Sequence, residues 1–155
     1  MKYSDVFLGL GSNLGQRREH LRVAIQMLQE NKNVTVVQES KVIETEPIGG
    51  IAKGLFLNQV IEIETDFEPL ELLQHCLCIE QSQGRVRGQK WDSRTLDIDI
   101  LFFGALVIAE GDLRIPHPEL EKRSFVLVPM KELAPEFTHP VSKKSIEHLS
   151  ILLST

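Results

Sequence analysis

The order in which hydrophobic periods change along the chain constrains its fold more than any other feature. Residues 5–10 form a short apolar run and read as a strand, and residues 16–30 carry Leu21, Ala24, Ile25 and Leu28 at helical spacing. Residues 34–45 are rich in β-branched side chains and read as a second strand. Residues 55–64 read as a third, with Leu57, Ile61 and Ile63 on one face and Phe56, Asn58, Val60 and Glu62 on the other. Only the loop 46–54, with a proline and three glycines, separates these two strands. A second helix is expected to begin at the Thr65/Glu68 capping spacing or at Pro69, and to stop at Gly84. Residues 84–94 read as a loop and 95–103 as a fourth strand, followed by a turn at Gly104 and a short strand over 106–108. Two more helices are expected over 124–133 and 145–153.

A doubly wound parallel sheet needs a helix between all its strands, because parallel neighbours require a long crossover. Here strands two and three are joined by a loop alone. The order β-α-β-β-α-β therefore specifies an α+β fold of the ferredoxin-like type: an antiparallel sheet with helices on one face and extra C-terminal helices.

With 155 residues, 42% of them hydrophobic, the chain suits a single domain over 1–155 with one sizeable core. Its apolar runs are short, and the opening MKYSDVFLGL has no apolar stretch followed by a small-residue cleavage site, so a cytoplasmic protein off the membrane is expected. Seventeen basic against 22 acidic residues leave a net charge of −5, which argues against nucleic acid or an anionic membrane as the main partner. Cys76 and Cys78 lie two apart in a helical stretch and point to different sides, so reduced thiols in a core or boundary position are expected.

Asp97 and Asp99 sit two apart within the fourth strand, on the face that continues as Leu101 and Phe103. Two strand residues span roughly 6.6 Å, near enough for both carboxylates to converge on shared metal ions. A solvated sheet face accounts for such a pair equally well. The loop before it holds Arg85, Arg87, Lys90 and Arg94 against Asp92, a local charge of +3 in a chain whose remainder sums to −8. Guanidinium forks and an ammonium hold phosphate oxygens while a divalent cation bridges others, so loop and pair together favour a nucleotide site, with Trp91 available to stack.

The glycines at 9, 11 and 15 follow G-x-G-x-x-x-G rather than a dinucleotide fingerprint, and no Gly-Lys-Ser/Thr occurs. A tight turn permitting close approach of another segment is the plainer reading. His117, held between Pro116 and Pro118 and followed by Arg123, suits a donor to phosphate or base, though alone it reads as a surface histidine. Phe56 and Asn58 share one strand face, a pairing of stacking area with an amide that fits a flat heteroaromatic ligand; alone, Phe56 reads as core. His20, His75, His139 and His148 show no partner spacing.

The assembled motifs are FLGLGSNLG, FLN, GRVR-x(3)-W-x(2)-RTLDIDIL and IPHPELEKRSFVLVPM, in that order. Together they resemble 6-hydroxymethyl-7,8-dihydropterin pyrophosphokinase of folate synthesis, over nearly the whole chain. The resemblance implies a ferredoxin-like fold and transfer of diphosphate from ATP to the pterin hydroxymethyl group, releasing AMP. It implies that Asp97 and Asp99 hold two Mg²⁺ ions and that Arg85 and Arg94 act on the phosphates. Arg87, Lys90 and Trp91 would close over the nucleotide, with Leu73, Glu80, His117 and Arg123 completing the ATP pocket. Phe56 and Phe125 would sandwich the pterin, and Asn58, Thr45 and the backbone near Pro47 and Ile48 would read its edge. The loops 46–54 and 84–94 would be the moving lids of that family, and a monomer is expected. Asp92 and Glu119 depart from the family's usual Gly/Ala and Arg/Lys, weakening the local positive field. A non-catalytic phosphate-sensing module and, more remotely, an oxidoreductase using the N-terminal glycines are the competing classes.

Overall fold

The computed structural model describes residues 1–45, 55–84 and 95–155. Its main sheet contains β1 (Tyr3–Ser12), β2 (Val34–Glu39), β3 (Ile43–Thr45), β4 (Phe56–Thr65) and β5 (Asp97–Phe103). The strand order is β2-β4-β1-β5, with β3 also on β4, and all pairings are antiparallel. This is the ferredoxin-like arrangement expected, with the first and third strands of the pattern at the centre.

Helix α1 (Arg17–Glu30) buries Leu21, Ala24 and Leu28, the stripe its spacing specifies. Helix α2 (Pro69–Ser82) resolves the two competing start signals: Glu68 is the N-cap in a capping box with Glu71, and Pro69 occupies the first turn. Thr65 instead accepts the Phe67 N–H at 3.0 Å, a local turn before the helix. Both helices cover one sheet face, where Leu8, Leu10, Leu57, Ile61, Ile63, Ile98 and Ile100 meet Leu21, Leu28, Leu72 and Ile79.

Helices α3 (Ser124–Leu133) and α4 (Ile146–Ser154) pack on the other face, not the same one: Leu127, Met130 and Leu149 cluster with Phe7, Val60, Leu101 and Phe102. The sheet is thus sandwiched, because β1, β4 and β5 are apolar on both faces for part of their length.

Three expectations need correction. The stretch 34–45 is not one strand: Ser40 interrupts it, its hydroxyl accepting the Val60 N–H at 2.9 Å, and β2 and β3 each pair with β4. The short strand expected at 106–108 is β6 (Ile108–Glu110), hairpinned to β7 (Leu113–Ile115) through Gly111, whose φ of +56° favours glycine. Third, the alternation along β5 breaks: Leu8 pairs with Ile100 but Phe7 with Phe102, so Leu101 is the extra residue of a bulge. Phe102 therefore joins Leu101 on the α3/α4 face, and Phe103 packs with the α1/α2 cluster.

Cys76 is buried and Cys78 exposed, both free; burial pushes the Cys76 thiol well above its ordinary range. Among the described residues no helix is long and apolar enough to cross a membrane.

Burial holds His75, His117 and His139 below the ordinary histidine range; the Arg123 charge adds to this at His117, while Glu121 partly offsets it at His139. The unfolded chain takes up protons as pH falls through about 6.5, whereas the folded chain resists them until lower pH. Stability is therefore complete above that value and is lost on acidification through the window beneath it. We expect the melting temperature to fall between about pH 7.5 and 5.5, and less so in His139→Phe; a flat profile in the wild type would contradict the burial of these rings.

Candidate functional site

The register of the three central strands builds the site. Gly11 lies between Asn58 on β4 and Asp97 on β5, and Gly9 between Val60 and Asp99. Phe7, two residues earlier on β1, packs on the α3/α4 face, so alternation puts Gly9, Gly11, Asp97, Asp99, Asn58 and Phe56 on that face too. Two inter-strand spacings separate Asn58 from Asp97, roughly 10 Å, and nothing larger than a glycine hydrogen stands on the strand between them. A lane to which β1 contributes no side chain thus runs between an amide and two carboxylates, with Leu101 reaching over Gly9 and the Asn58 Oδ1 over Gly11.

Gly9 and Gly11 are accordingly strand residues, not the tight turn expected; only Gly15, at φ +73°, serves a turn. Other segments do approach them closely: Leu101 packs over Gly9, and Asn58 and Phe56 over Gly11. Their period of two matches that of Asp97 and Asp99, a signal in the sequence that points to pairing of G-x-G with D-x-D.

The two positions differ in how much room remains. A Cβ at Gly9 would meet Leu101 at 3.4 Å, an ordinary contact, whereas one at Gly11 would meet the Asn58 Oδ1 at 3.2 Å. Gly9→Ala is expected to gain roughly 0.5 kcal/mol from strand preference, while crowding of Asn58 offsets that gain in Gly11→Ala. Thermal unfolding of the two variants checks the ordering, and an equally stable pair would refute it.

The Asn58 side chain is 7% exposed, and its amide donates to the Thr45 hydroxyl across the β3–β4 pair. Thr45 is directly opposite Phe56, which is half-buried. These three predicted side chains are therefore brought together.

Asp97 and Asp99 are half-buried at the start of β5, an edge strand of the sheet. Two groups occupy the outer edge of that strand. The Glu80 carboxylate, 1% exposed, accepts the Ile98 N–H at 2.8 Å, and the His117 N–H donates to the Leu101 carbonyl at 3.0 Å. Glu80 is thus held against the backbone between the two aspartates. Its α2 neighbour Leu73 is partly buried and packs into the α1/α2 core.

His117 Nδ1 accepts the Glu119 N–H at 3.1 Å, which leaves the proton of the neutral ring on Nε2. Arg123 and Asp97 both act on its charge state, Arg123 favouring the neutral ring and Asp97 opposing that. Arg123 caps α3, and its guanidinium stands over the Phe125 ring at 5.6 Å from the centroid. The structure therefore ties His117 to β5 and links it through Arg123 to Phe125 on α3. Pro47, Ile48, Arg85, Arg87, Lys90, Trp91, Arg94 and the departure at Asp92 lie outside the described residues. Glu119 is exposed.

Among the described residues no group of three or more His, Cys, Asp or Glu is gathered for a metal. Two half-buried carboxylates on neighbouring positions of one strand face suit a hard cation that keeps water or substrate oxygens for its other positions, as Mg²⁺ does. They do not suit a caged structural metal. The donor set fits.

Solved structures similar to this chain define the fold class first. A crystal structure of HPPK-DHPS in complex with substrates aligns over 97% of this chain with a TM-score of 0.75 at 15% identity. The Plasmodium falciparum wild-type HPPK-DHPS with pterin and p-hydroxybenzoate aligns with a TM-score of 0.76 at 17% identity. The chain spans 43% of each of those chains.

The sequence carries the assignment further. Residues 7–135 match the family 7,8-dihydro-6-hydroxymethylpterin-pyrophosphokinase (HPPK), and the chain belongs to that family. It is 41% identical, over 82% of its length and 76% of the relative's, to the 2-amino-4-hydroxy-6-hydroxymethyldihydropteridine pyrophosphokinase of Bacillus subtilis (strain 168). It is 39% identical to part of the bifunctional protein FolKE of Lactococcus lactis subsp. cremoris, spanning 82% of this chain and 36% of that one.

Proposed function

We propose that the protein transfers diphosphate from ATP to the hydroxymethyl group of 6-hydroxymethyl-7,8-dihydropterin, releasing AMP. The observation that carries this reading is the lane along Gly9 and Gly11, with an Asn58–Thr45 amide pair on one side and Asp97 and Asp99 on the other. A flat ring read by the amide would direct a short hydroxymethyl arm across the lane toward the carboxylates.

In this reading Asn58 and Thr45, with the backbone near Pro47 and Ile48, recognise the pterin edge, and Phe56 and Phe125 supply stacking surface. Asp97 and Asp99 hold Mg²⁺, two ions in the full site, which neutralises triphosphate charge and lowers the proton affinity of the alcohol. His117 donates from Nε2 to the nucleotide, and Arg123 adds positive charge. Leu73 and Glu80 complete the ATP side, for which Arg85, Arg87, Lys90, Trp91 and Arg94 supply cations and an aromatic ring to bind the nucleotide. A primary alcohol is a weak nucleophile, so positioning and charge neutralisation supply most of the rate.

No side chain is needed as a covalent carrier. The alcohol oxygen bonds to the β-phosphorus as its bond to the α,β-bridging oxygen breaks; AMP leaves with that electron pair and the alcohol proton goes to the medium. Incubation with ATP, Mg²⁺ and the hydroxymethyl dihydropterin should yield AMP and the diphosphorylated pterin in equal amounts. ADP as product, or no turnover, would overturn the reading.

A further inference from the structure

We propose that Arg17 is a positioning residue for the pterin-reading side chains, an inference that rests on the function proposed above. Strand β3 has only three residues, and its ladder to β4 runs from Ile43 opposite Asn58 to Thr45 opposite Phe56. So short a strand adds little stability of its own. Yet it carries Thr45, whose hydroxyl holds the Asn58 amide.

Arg17 supplies a second tie from a different element. From the first residue of α1, its Nη1 donates to the Leu55 carbonyl at 2.7 Å and lies 3.4 Å from the Glu44 Oε2. Leu55 immediately precedes Phe56, and Glu44 immediately precedes Thr45. One guanidinium thus grips the residue before each of two facing site residues.

Helix α1 itself gives no reason for a cation there. Positive charge in a first turn opposes the helix dipole, and α1 has no side-chain cap to compensate. Both contacts are made by the same Nη1, so a single charged nitrogen addresses a carbonyl and a carboxylate together. With the Arg17 side chain 33% exposed, the tie is only partly screened by solvent. Releasing it lets β3 shift against β4, which misaligns Thr45, Asn58 and Phe56 while leaving β5 and its aspartates in place. Pterin binding therefore weakens, and nucleotide binding does not.

Steady-state diphosphate transfer tests this, with each substrate varied against saturating amounts of the other. Arg17→Ala is expected to raise the pterin KM about 10-fold, as for loss of a hydrogen bond from a charged group, with the ATP KM and kcat within about two-fold. Arg17→Lys should recover part of the loss, and Arg22→Ala, on the exposed side of the same helix and paired with Glu19, should match wild type. A pterin KM for Arg17→Ala within about two-fold of wild type would overturn the proposal. So would parallel changes in both KM values, kcat and melting temperature, which mark a merely structural residue. Calorimetric titration with the dihydropterin, in the presence of Mg²⁺ and a non-hydrolysable ATP analogue, separates the two levels. If wild type does not bind the pterin, the proposed function fails and this inference with it. If wild type and Arg17→Ala bind it equally, only the role of Arg17 fails.

Discussion

Replacing Asp97 or Asp99 with alanine is expected to lower the rate of diphosphate transfer at least ~100-fold, the cost of removing a strong electrostatic stabiliser from a reaction that depends on charge neutralisation. Both residues lie opposite glycines, so no neighbouring side chain on β1 can take over the lost carboxylate. The fold should tolerate the change. The two aspartates are only half-buried, so deleting one carboxylate opens no cavity in the core. Isosteric Asp97→Asn and Asp99→Asn should be nearly as slow, since shape is kept but the charge proposed to hold Mg²⁺ is gone. AMP release measured across a range of Mg²⁺ concentrations is the direct check. Near-normal turnover in any of these variants would remove the metal assignment.

Phe102→Ala is expected to destabilise the fold by ~3–5 kcal/mol, the usual range for deleting a buried aromatic ring. The side chain has no solvent exposure, and its ring lies 4.8 Å from that of Phe137 and 6.3 Å from that of Phe7, both edge-on. Denaturant unfolding should show a lower midpoint with the slope unchanged. A double-mutant cycle sharpens the test of the bulge. Phe102→Ala and Phe137→Ala should be non-additive by about 0.5–1.5 kcal/mol, because their rings touch. Phe103, which meets Tyr3 at 4.8 Å on the other face, should combine additively with Phe137. Coupling between Phe103 and Phe137 instead would mean that β5 keeps strict alternation and has no bulge.

Much of this molecule is legible in its sequence because its local signals agree with one another. Period-two alternation places Phe56 with Asn58 and Asp97 with Asp99, and the structure keeps both pairs on one face. The absence of a helix between 34–45 and 55–64 is enough to select an antiparallel sheet. The capping chemistry around Glu68 and Pro69 starts α2 as residue types alone suggest, although choosing between the two possible starts required seeing which group Thr65 accepts from.

Other features lie between segments far apart in the chain. The bulge at Leu101 arises from the pairing of β5 with β1, about a hundred residues away, and no periodicity within β5 announces it. The break at Ser40 depends on a hydroxyl finding the Val60 N–H. Arg17 looks like one more charge on an amphipathic helix until Leu55 and Glu44 are seen beside it. His139 shows no sequence partner, yet its Nδ1 accepts the Val141 and Ser142 N–H groups and its Nε2 faces Glu121 at 3.5 Å.

Periodicity and residue chemistry, written within a few neighbouring positions, are enough for the main β-α-β-β-α-β order, the apolar faces outside the β5 bulge and the aspartate pair. The folded chain alone shows that Phe102 and Phe103 exchange faces at the bulge, that Glu80 secures the strand between the aspartates, and that helices cover both faces. Those outcomes depend on strand register and cross-chain packing, where the energy of each contact is set by a partner tens of residues away.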